Sequence, residues 1–359
     1  MKTLALDLIL VGFGNVGRRF ARLLQEHEGV LSRSYGLSWR VVAVATRSHG
    51  MAFTPSGLDL AQALALVEGG GSLAKLRGNA AMGPHTSINS ALDLIEEATH
   101  AGDADRVQVV VETTVLNIER GQPAVDHVRK ALRAGAHVIT ANKGPVAFAY
   151  RELDDFATAL GRSFLFEGAV MDGVPIFNLV RETLPAVTIN GFRGIVNSTT
   201  NHILTEMERG QTFDDALTAM QAAGIAEADA SLDVDGWDAA AKTAALLNVL
   251  MKADVTPRDI ERTGIRGVTG EMLADARQKG MRLRLVASGV RRDGKCVGRV
   301  APELVGDTDP LGQLRGMQNS LVLQTDLMGD IAISQLGGGL TQTAYALLSD
   351  LVTVRRRLK

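Results

Sequence analysis

The stretch that most constrains the fold lies near the start of the chain. Leu4–Val11 is an apolar run interrupted only by Asp7, it stops at Gly12, and the residues beyond carry apolar side chains at helical spacing, Val16, Phe20, Leu23 and Leu24 among them. The join is Gly12-Phe13-Gly14-Asn15-Val16-Gly17, the spacing G-x-G-x-x-G. A strand that enters a helix through such a turn leaves helix N–H groups to hold an anion, lets the backbone approach a pyrophosphate, and packs helix closely on strand. A chain with 38 glycines can produce the spacing by chance, so its weight comes from its position at the first strand-to-helix turn. The reading is a dinucleotide site that includes Gly12, Gly14, Asn15, Val16 and Gly17.

Arg40–Thr46 (RVVAVAT) reads as a second parallel strand, ending at the polar turn Arg47-Ser48-His49-Gly50. An Asp or Glu at that strand end would bond the ribose 2′-hydroxyl of NAD, whereas Arg47 favours a 2′-phosphate. NADP is therefore expected, with NAD as the alternative. Val107–Val111 and His137–Thr140 read as further buried strands, separated by an amphipathic helix over Pro123–Ala134. Strands alternating with helices specify an α/β chain built on a Rossmann-type doubly wound parallel sheet. The character changes after Pro145. A helix near Tyr150–Leu160, a short strand at Ser163–Glu167, a helix over Ile176–Thr183, a strand near Thr188–Val196 and a helix over Thr200–Arg209 are expected. Two helices then flank the acidic stretch Ala226–Asp238, strands follow near Arg282–Val290 and Cys296–Ala301, and the end holds a Gly-rich turn and a final helix. The second domain is thus α+β.

At 359 residues the chain is long enough for two domains, and 46% hydrophobic with 22% charged residues rules out disorder for most of it. Lys plus Arg number 38 against 40 for Asp plus Glu, so no basic footprint for nucleic acid exists. No run reaches the roughly 18–20 apolar residues of a membrane span, and the N-terminus reads as a strand, not a signal peptide. One cysteine, Cys296, excludes an intrachain disulfide framework and a cysteine-rich zinc site. A cytoplasmic protein is expected, with small molecules and further subunits as its partners.

Two more constellations carry chemistry. Thr140-Ala141-Asn142-Lys143-Gly144-Pro145 sits at the C-terminal end of a parallel strand, where doubly wound sheets place their ligands. A half-buried lysine there suits acid–base work at a carbonyl or alcohol; a surface lysine in a turn is the alternative. Farther on, Gly224-Ile225-Ala226-Glu227-Ala228-Asp229 continues through Asp233, Asp235-Gly236-Trp237-Asp238 and Lys242. Asp238 and Lys242 are four residues apart, so they share one helix face. Asp235 reads as an N-cap with Asp238 in the first turn, but capping leaves Glu227, Asp229 and Asp233 unexplained. A loop so acidic is either solvated or binds a cation such as an amino group.

These motifs occur in order with Gly57-Leu58-Asp59-Leu60, Glu112-Thr113-Thr114, Asn117-Ile118-Glu119-Arg120-Gly121, Glu167–Pro175, Asn197-Ser198-Thr199-Thr200-Asn201 and Gly337-Gly338-Gly339. Together they resemble the homoserine dehydrogenase family over nearly the whole length. The resemblance implies interconversion of L-homoserine and L-aspartate 4-semialdehyde with NAD(P), on the route to threonine, isoleucine and methionine. It implies a nucleotide-binding domain over 1–148, a catalytic and dimerisation domain over 149–320, a segment over 321–359 that returns to the first domain, and a homodimer. At this length neither a fused kinase nor a C-terminal amino-acid-sensing domain is expected.

Position by position, the resemblance implies Lys143 and Lys242 as active-site lysines and Glu227, Asp233 and Asp238 as substrate carboxylates, with Glu227 and Thr199 near the substrate amino group. Thr113, Thr114, Thr140, Asn142, Lys143, Gly338 and Thr343 would join the glycine turn and Arg47 around the cofactor. Glu167, Val170, Asp172 and Val174 would hold a monovalent cation such as sodium or potassium, mainly through backbone oxygens. Departures from the family pattern are Ser198 for Gly, His202 and Ile225 for Tyr, Ala230 for Pro, and Asp172 for a small residue. In the implied chemistry a neutral Lys143 takes the hydroxyl proton as hydride leaves for the nicotinamide, and Lys242, held by Asp238, anchors the substrate. The rival readings are another Rossmann dehydrogenase of an amino-acid derivative and a non-catalytic NADP-binding sensor.

Overall fold

The apolar runs of the N-terminal part become strands β1 (Leu4–Val11), β2 (Leu37–Ala45), β3 (Met51–Phe53), β4 (Val107–Glu112), β5 (His137–Thr140) and β6 (Phe164–Leu165). This is a computed structural model, and it describes residues 3–76, 78, 89–223 and 229–358. The six strands form one sheet in the order β3-β2-β1-β4-β5-β6, parallel except for β3, which runs antiparallel to β2. Covered on both faces, these strands need near-continuous Val, Ile and Leu, which is why they were readable as apolar runs. Chain order reverses at β1, so the switch point lies between the C-terminal ends of β1 and β4.

One charge interrupts β1. Asp7 is fully buried, and both neighbouring strands set donors directly opposite it, Arg40 on β2 and Gln108 on β4. Arg40 Nε lies 2.6 Å from its carboxylate, Arg106 Nε 2.5 Å and Gln108 Nε2 3.3 Å. Burial pushes the Asp7 carboxyl up, but these donors outweigh it and hold it below the ordinary carboxylate value.

The chain divides into two units. The first comprises Met1–Pro145, Arg151–Gly173 and Gly339–Lys359, the second Val146–Tyr150 and Val174–Gly338. This differs from a boundary at 148 and a return at 321. Arg151–Gly173 falls in the first unit because β6 extends its sheet beside β5. The chain rejoins that unit only with the helix Leu340–Arg357, whose Ala344, Leu347, Leu351 and Val354 share one core with Leu6, Leu10 and Val111. Helix Lys143–Ala159 breaks at Ala149 (φ −146°, ψ 21°), and its Val146 carbonyl accepts from Asn248 Nδ2 at 3.2 Å within the second unit.

The second unit contains β7 (Ile189–Ile195), β8 (Glu261–Arg262), β9 (Met281–Arg292), β10 (Lys295–Gly306), β11 (Asn319–Thr325) and β12 (Asp330–Gln335). Their order is β12-β11-β7-β9-β10-β8, antiparallel except for β8 beside β10. Asp293 and Gly294 turn the long β9–β10 hairpin with φ of 49° and 77°, positive at both central residues as a type I′ turn requires. β11 and β12 were not expected from the sequence, since short apolar runs between turn residues do not declare their type by periodicity. The Ala-rich helix Trp237–Met251 packs on β9 and β10. Among the described residues no helix is long and apolar enough to cross a membrane.

Asp7 supplies a stability test. Its depressed pKa means that the stabilisation is full above the ordinary carboxylate value and is lost as pH falls through the lowered one. Asp7→Asn should cost about 2–4 kcal/mol in denaturant unfolding at neutral pH, the arginines being partly hydrated, and this deficit should shrink in acid.

Candidate active site

The glycine turn is shaped by a close approach. Gly12 has φ +90°, and a Cβ there would lie 2.6 Å from the Thr113 carbonyl carbon and 2.7 Å from Thr114 N, so no side chain fits. Thr113 Oγ1 donates to the Gly12 carbonyl at 2.7 Å and ties the ends of β1 and β4 together. At Gly14 the situation is opposite: a Cβ would meet nothing within 4 Å, and no side chain caps the helix Asn15–Glu26 that begins there. The first N–H groups of that helix, which have no intrahelical acceptor, thus begin beside open space at Gly14, at the switch point, where a pyrophosphate requires donors. After β2, Thr46 Oγ1 accepts from His49 N at 2.8 Å and donates to the Gly50 carbonyl at 2.9 Å, which leaves Arg47 and Ser48 exposed at the tip.

Glu112, fully buried at the end of β4, organises the neighbouring segments. It accepts from Thr114 N at 3.0 Å, from Thr114 Oγ1, and from Thr140 Oγ1 at 3.0 Å. Thr140 Oγ1 in turn accepts from Asn142 N at 2.9 Å, and Asn142 Nδ2 donates to the Thr114 carbonyl at 2.9 Å. Asn142 also caps the helix that starts at Lys143, accepting from Gly144 N at 2.8 Å. Half-buried Lys143 therefore stands on a first turn held by Thr114, Thr140 and Asn142. Glu112 itself was missed as a site residue; its signal was a carboxylate closing an otherwise apolar strand.

The second cluster lies wholly in the second unit. Helix Ser198–Glu208 follows β7, and Asn197 caps it by accepting from Thr200 N at 2.8 Å. The same side chain donates from Nδ2 to Asp233 Oδ1 at 2.7 Å and to Asp238 Oδ2 at 2.9 Å. Lys242 Nζ lies 2.8 Å from Asp238 Oδ2 and 2.7 Å from the Val196 carbonyl. Thr199, in the first turn of that helix, also favours the ionised form of Asp233. Burial and the Asp238 charge push the Asp233 carboxyl above the ordinary carboxylate value, despite the opposing influence of Asn197, Lys242 and Thr199. Asn197 was not singled out beforehand, although an Asn three residues before Thr200 at a helix start is a recognisable cap.

Other expected residues fall as follows. Glu227 lies outside the described residues, as does Ile225. Asp235 is not an N-cap: its backbone (φ −85°, ψ −1°) closes the preceding helix Ser231–Val234, Gly236 occupies the cap position with φ +80°, and the Asp235 carboxylate pairs with Arg266 at 2.5 and 3.3 Å. Asp229 accepts from Ser231 N at 3.0 Å. Glu167 and Val170 are buried, Asp172 has φ 48° and accepts from Thr343 Oγ1 at 3.4 Å, and Val174 belongs to the second unit. Among the described residues no group of three or more His, Cys, Asp or Glu side chains could hold a metal, so a cation in this stretch would depend on backbone oxygens. Gly338 is exposed and ends the second unit; Thr343 belongs to the first.

Residues 175–352 match the family model for homoserine dehydrogenase, and 12–167 match that for the homoserine dehydrogenase NAD binding domain. The chain belongs to the homoserine dehydrogenase family. A homoserine dehydrogenase of Methanocaldococcus jannaschii is 38% identical over 99% of this chain and all of its own length. An NAD(+)-dependent homoserine dehydrogenase of Pseudomonas canavaninivorans is 35% identical, over 97% of this chain and 96% of that one. A hyperthermophilic archaeal homoserine dehydrogenase solved in complex with NADPH superposes with a TM-score of 0.79 at 30% identity, covering 98% of each chain. The activity is that of a homoserine dehydrogenase, interconverting L-homoserine and L-aspartate 4-semialdehyde, and the rival readings are not favoured.

The raised Asp233 gives a prediction that separates function from stability. An ionised carboxyl with a raised pKa costs stability, absent below the ordinary value and full above the raised one. Asp233→Asn should therefore unfold at no lower temperature than the unmodified enzyme at neutral pH, with any advantage fading in acid, while the KM for homoserine rises about tenfold or more. Thermal unfolding and initial rates check both halves.

Proposed function

We propose that this homoserine dehydrogenase prefers NADP, holds the homoserine ammonium at Asp233 and Asp238 with Thr199 and Glu227, and uses Lys143 as proton carrier and Lys242 as substrate anchor. The carrying observation is the Asn197-centred cluster. Two carboxylates and one ammonium leave one negative charge in excess when both acids are ionised, which suits a cationic amino group better than any neutral ligand. A nicotinamide held at the strand ends would supply the hydride chemistry. Lys143, standing where a parallel strand ends, accepts the hydroxyl proton in oxidation and returns it in reduction. Lys242, fixed by Asp238 and the Val196 carbonyl, presents its charge to the substrate carboxylate or oxygen.

The glycine turn, Thr113, Thr114, Thr140 and Asn142 line the cofactor, with Gly338 and Thr343 joining them. Arg47, exposed beyond β2, is the 2′-phosphate ligand. A monovalent cation at Glu167, Val170, Asp172 and Val174 is supported by Met171 and Asp172, successive non-glycine residues with φ of 53° and 48°, a costly geometry that turns carbonyls from their usual directions. A homodimer is supported by Leu327, Met328 and Leu336, exposed around edge strand β12. A cytoplasmic setting is supported by the single, unpaired thiol of Cys296.

Steady-state rates with each cofactor test the nucleotide assignment: the unmodified enzyme should have the lower KM for NADP, and Arg47→Asp should narrow or invert the preference. Equal affinities in the unmodified enzyme would count against it. The lysines separate by kinetics. Lys143→Ala should lower kcat by roughly 10²–10⁴ with cofactor affinity little changed. Lys242→Ala should raise the homoserine KM as well as slow turnover, because Asp238 loses its charged partner. Near-normal turnover of Lys143→Ala at every pH would remove Lys143 from the proton path.

A further inference from the structure

Asp233 and Asp238 sit on different elements. Asp233 is in the short helix Ser231–Val234, Asp238 opens the helix Trp237–Met251, and only Asp235 and Gly236 join the two. Both acids reach the same Asn197 amide, although like charges so close repel one another. Something must keep the turn behind them from opening.

We propose that Arg262 is a positioning residue for the substrate site, gripping the Asp235–Gly236 turn so that Asp233 and Asp238 both stay within reach of Asn197. Arg262 is held on β8, opposite Val300 of β10, and Thr263 N donates to the Val300 carbonyl at 2.8 Å. Its guanidinium donates from Nη1 to the Asp235 carbonyl and stacks 3.9 Å over the Trp237 ring, so it holds the residues on both sides of Gly236. Its stem fills the space at Gly236 itself, where a Cβ would come within 3.3 Å of Arg262 Cγ. The following loop seals the contact. Ile265 N donates to the Val234 carbonyl at 2.8 Å, and a Cβ on Gly264 would stand 2.3 Å from that oxygen, so backbone lies directly on backbone. Arg266 pairs with the Asp235 carboxylate from an exposed position and adds little. Arg262 engages Asp235 and Trp237 and pairs with neither site carboxylate, so it acts on them through the turn alone.

This inference rests on the reading of Asp233 and Asp238 as the ammonium-binding pair, and the experiment separates the two. Arg262→Gln should raise the homoserine KM about tenfold, leaving kcat at saturating homoserine and the cofactor KM within about twofold. Arg262→Lys, which retains a donor for the Asp235 carbonyl, should recover much of the loss. In an Asp233→Asn background Arg262→Gln should add less than twofold, because the geometry that it maintains no longer serves an ionised pair. Trp237→Leu, which removes the stacked ring, should raise the homoserine KM in the same direction and serves as the test if Arg262→Gln does not fold. A raised KM for Asp233→Asn with an unchanged KM for Arg262→Gln, or fully additive effects in the double variant, overturns the positioning role alone. An unchanged KM for Asp233→Asn overturns the site reading and this inference with it.

Discussion

At Gly12 the chain turns with the backbone of Thr113 and Thr114 standing where a side chain would project. This approach is the constraint on which the cofactor end depends. It draws the ends of β1 and β4 together at the point where strand order reverses, and Thr113 Oγ1 closes the contact on the Gly12 carbonyl. The uncapped helix start at Gly14 and the Glu112-held segments at Thr114, Thr140 and Asn142 then belong to one rim of the sheet. A methyl group at position 12 would separate them, whatever the affinity of the individual donors.

Three acidic residues show how environment decides the state and work of a carboxylate. Asp7 meets two arginines and an amide, is held ionised, and stabilises the sheet. Glu112 has hydroxyl and backbone donors, with His127 Nδ1 3.6 Å away, and its work is to fix the strand ends that carry Thr114 and Asn142. Asp233 is buried and faces a second carboxylate, so its carboxyl is raised above the ordinary value, a cost that an ammonium ligand would relieve on the proposed reading. The residue type is the same or nearly so; the difference is which partners the fold delivers.

The second unit holds its carboxylate pair from two directions. Asn197 and Lys242 engage it directly, while β8 and the loop after it press on the turn joining the two helices. A two-residue link with a left-handed glycine has little stiffness of its own, so its geometry is set by whatever packs behind it.

Much of the first sheet was legible because its evidence is local. Leu4–Val11, Val107–Glu112 and His137–Thr140 are short, mainly apolar runs rich in Leu, Val and Ile, the glycine turn follows the first of them, and Asp238 and Lys242 declare their shared face by a separation of four. The sequence by itself thus determined the nucleotide-binding architecture, the strand end that carries Lys143, and the family. Other features depend on residues far apart in the chain. Asp7 is neutralised by Arg40 and Arg106, 33 and 99 positions away, and Asn197 joins acids 36 and 41 positions away. Asp235 has the local pattern of an N-cap, yet its backbone closes the preceding short helix, the cap position falls to Gly236, and its carboxylate pairs with Arg266, 31 positions on. Only the tertiary structure decided these pairings, because a side chain's hydrogen bonds go to whichever donor packing brings within about 3 Å, and periodicity carries no information about that donor.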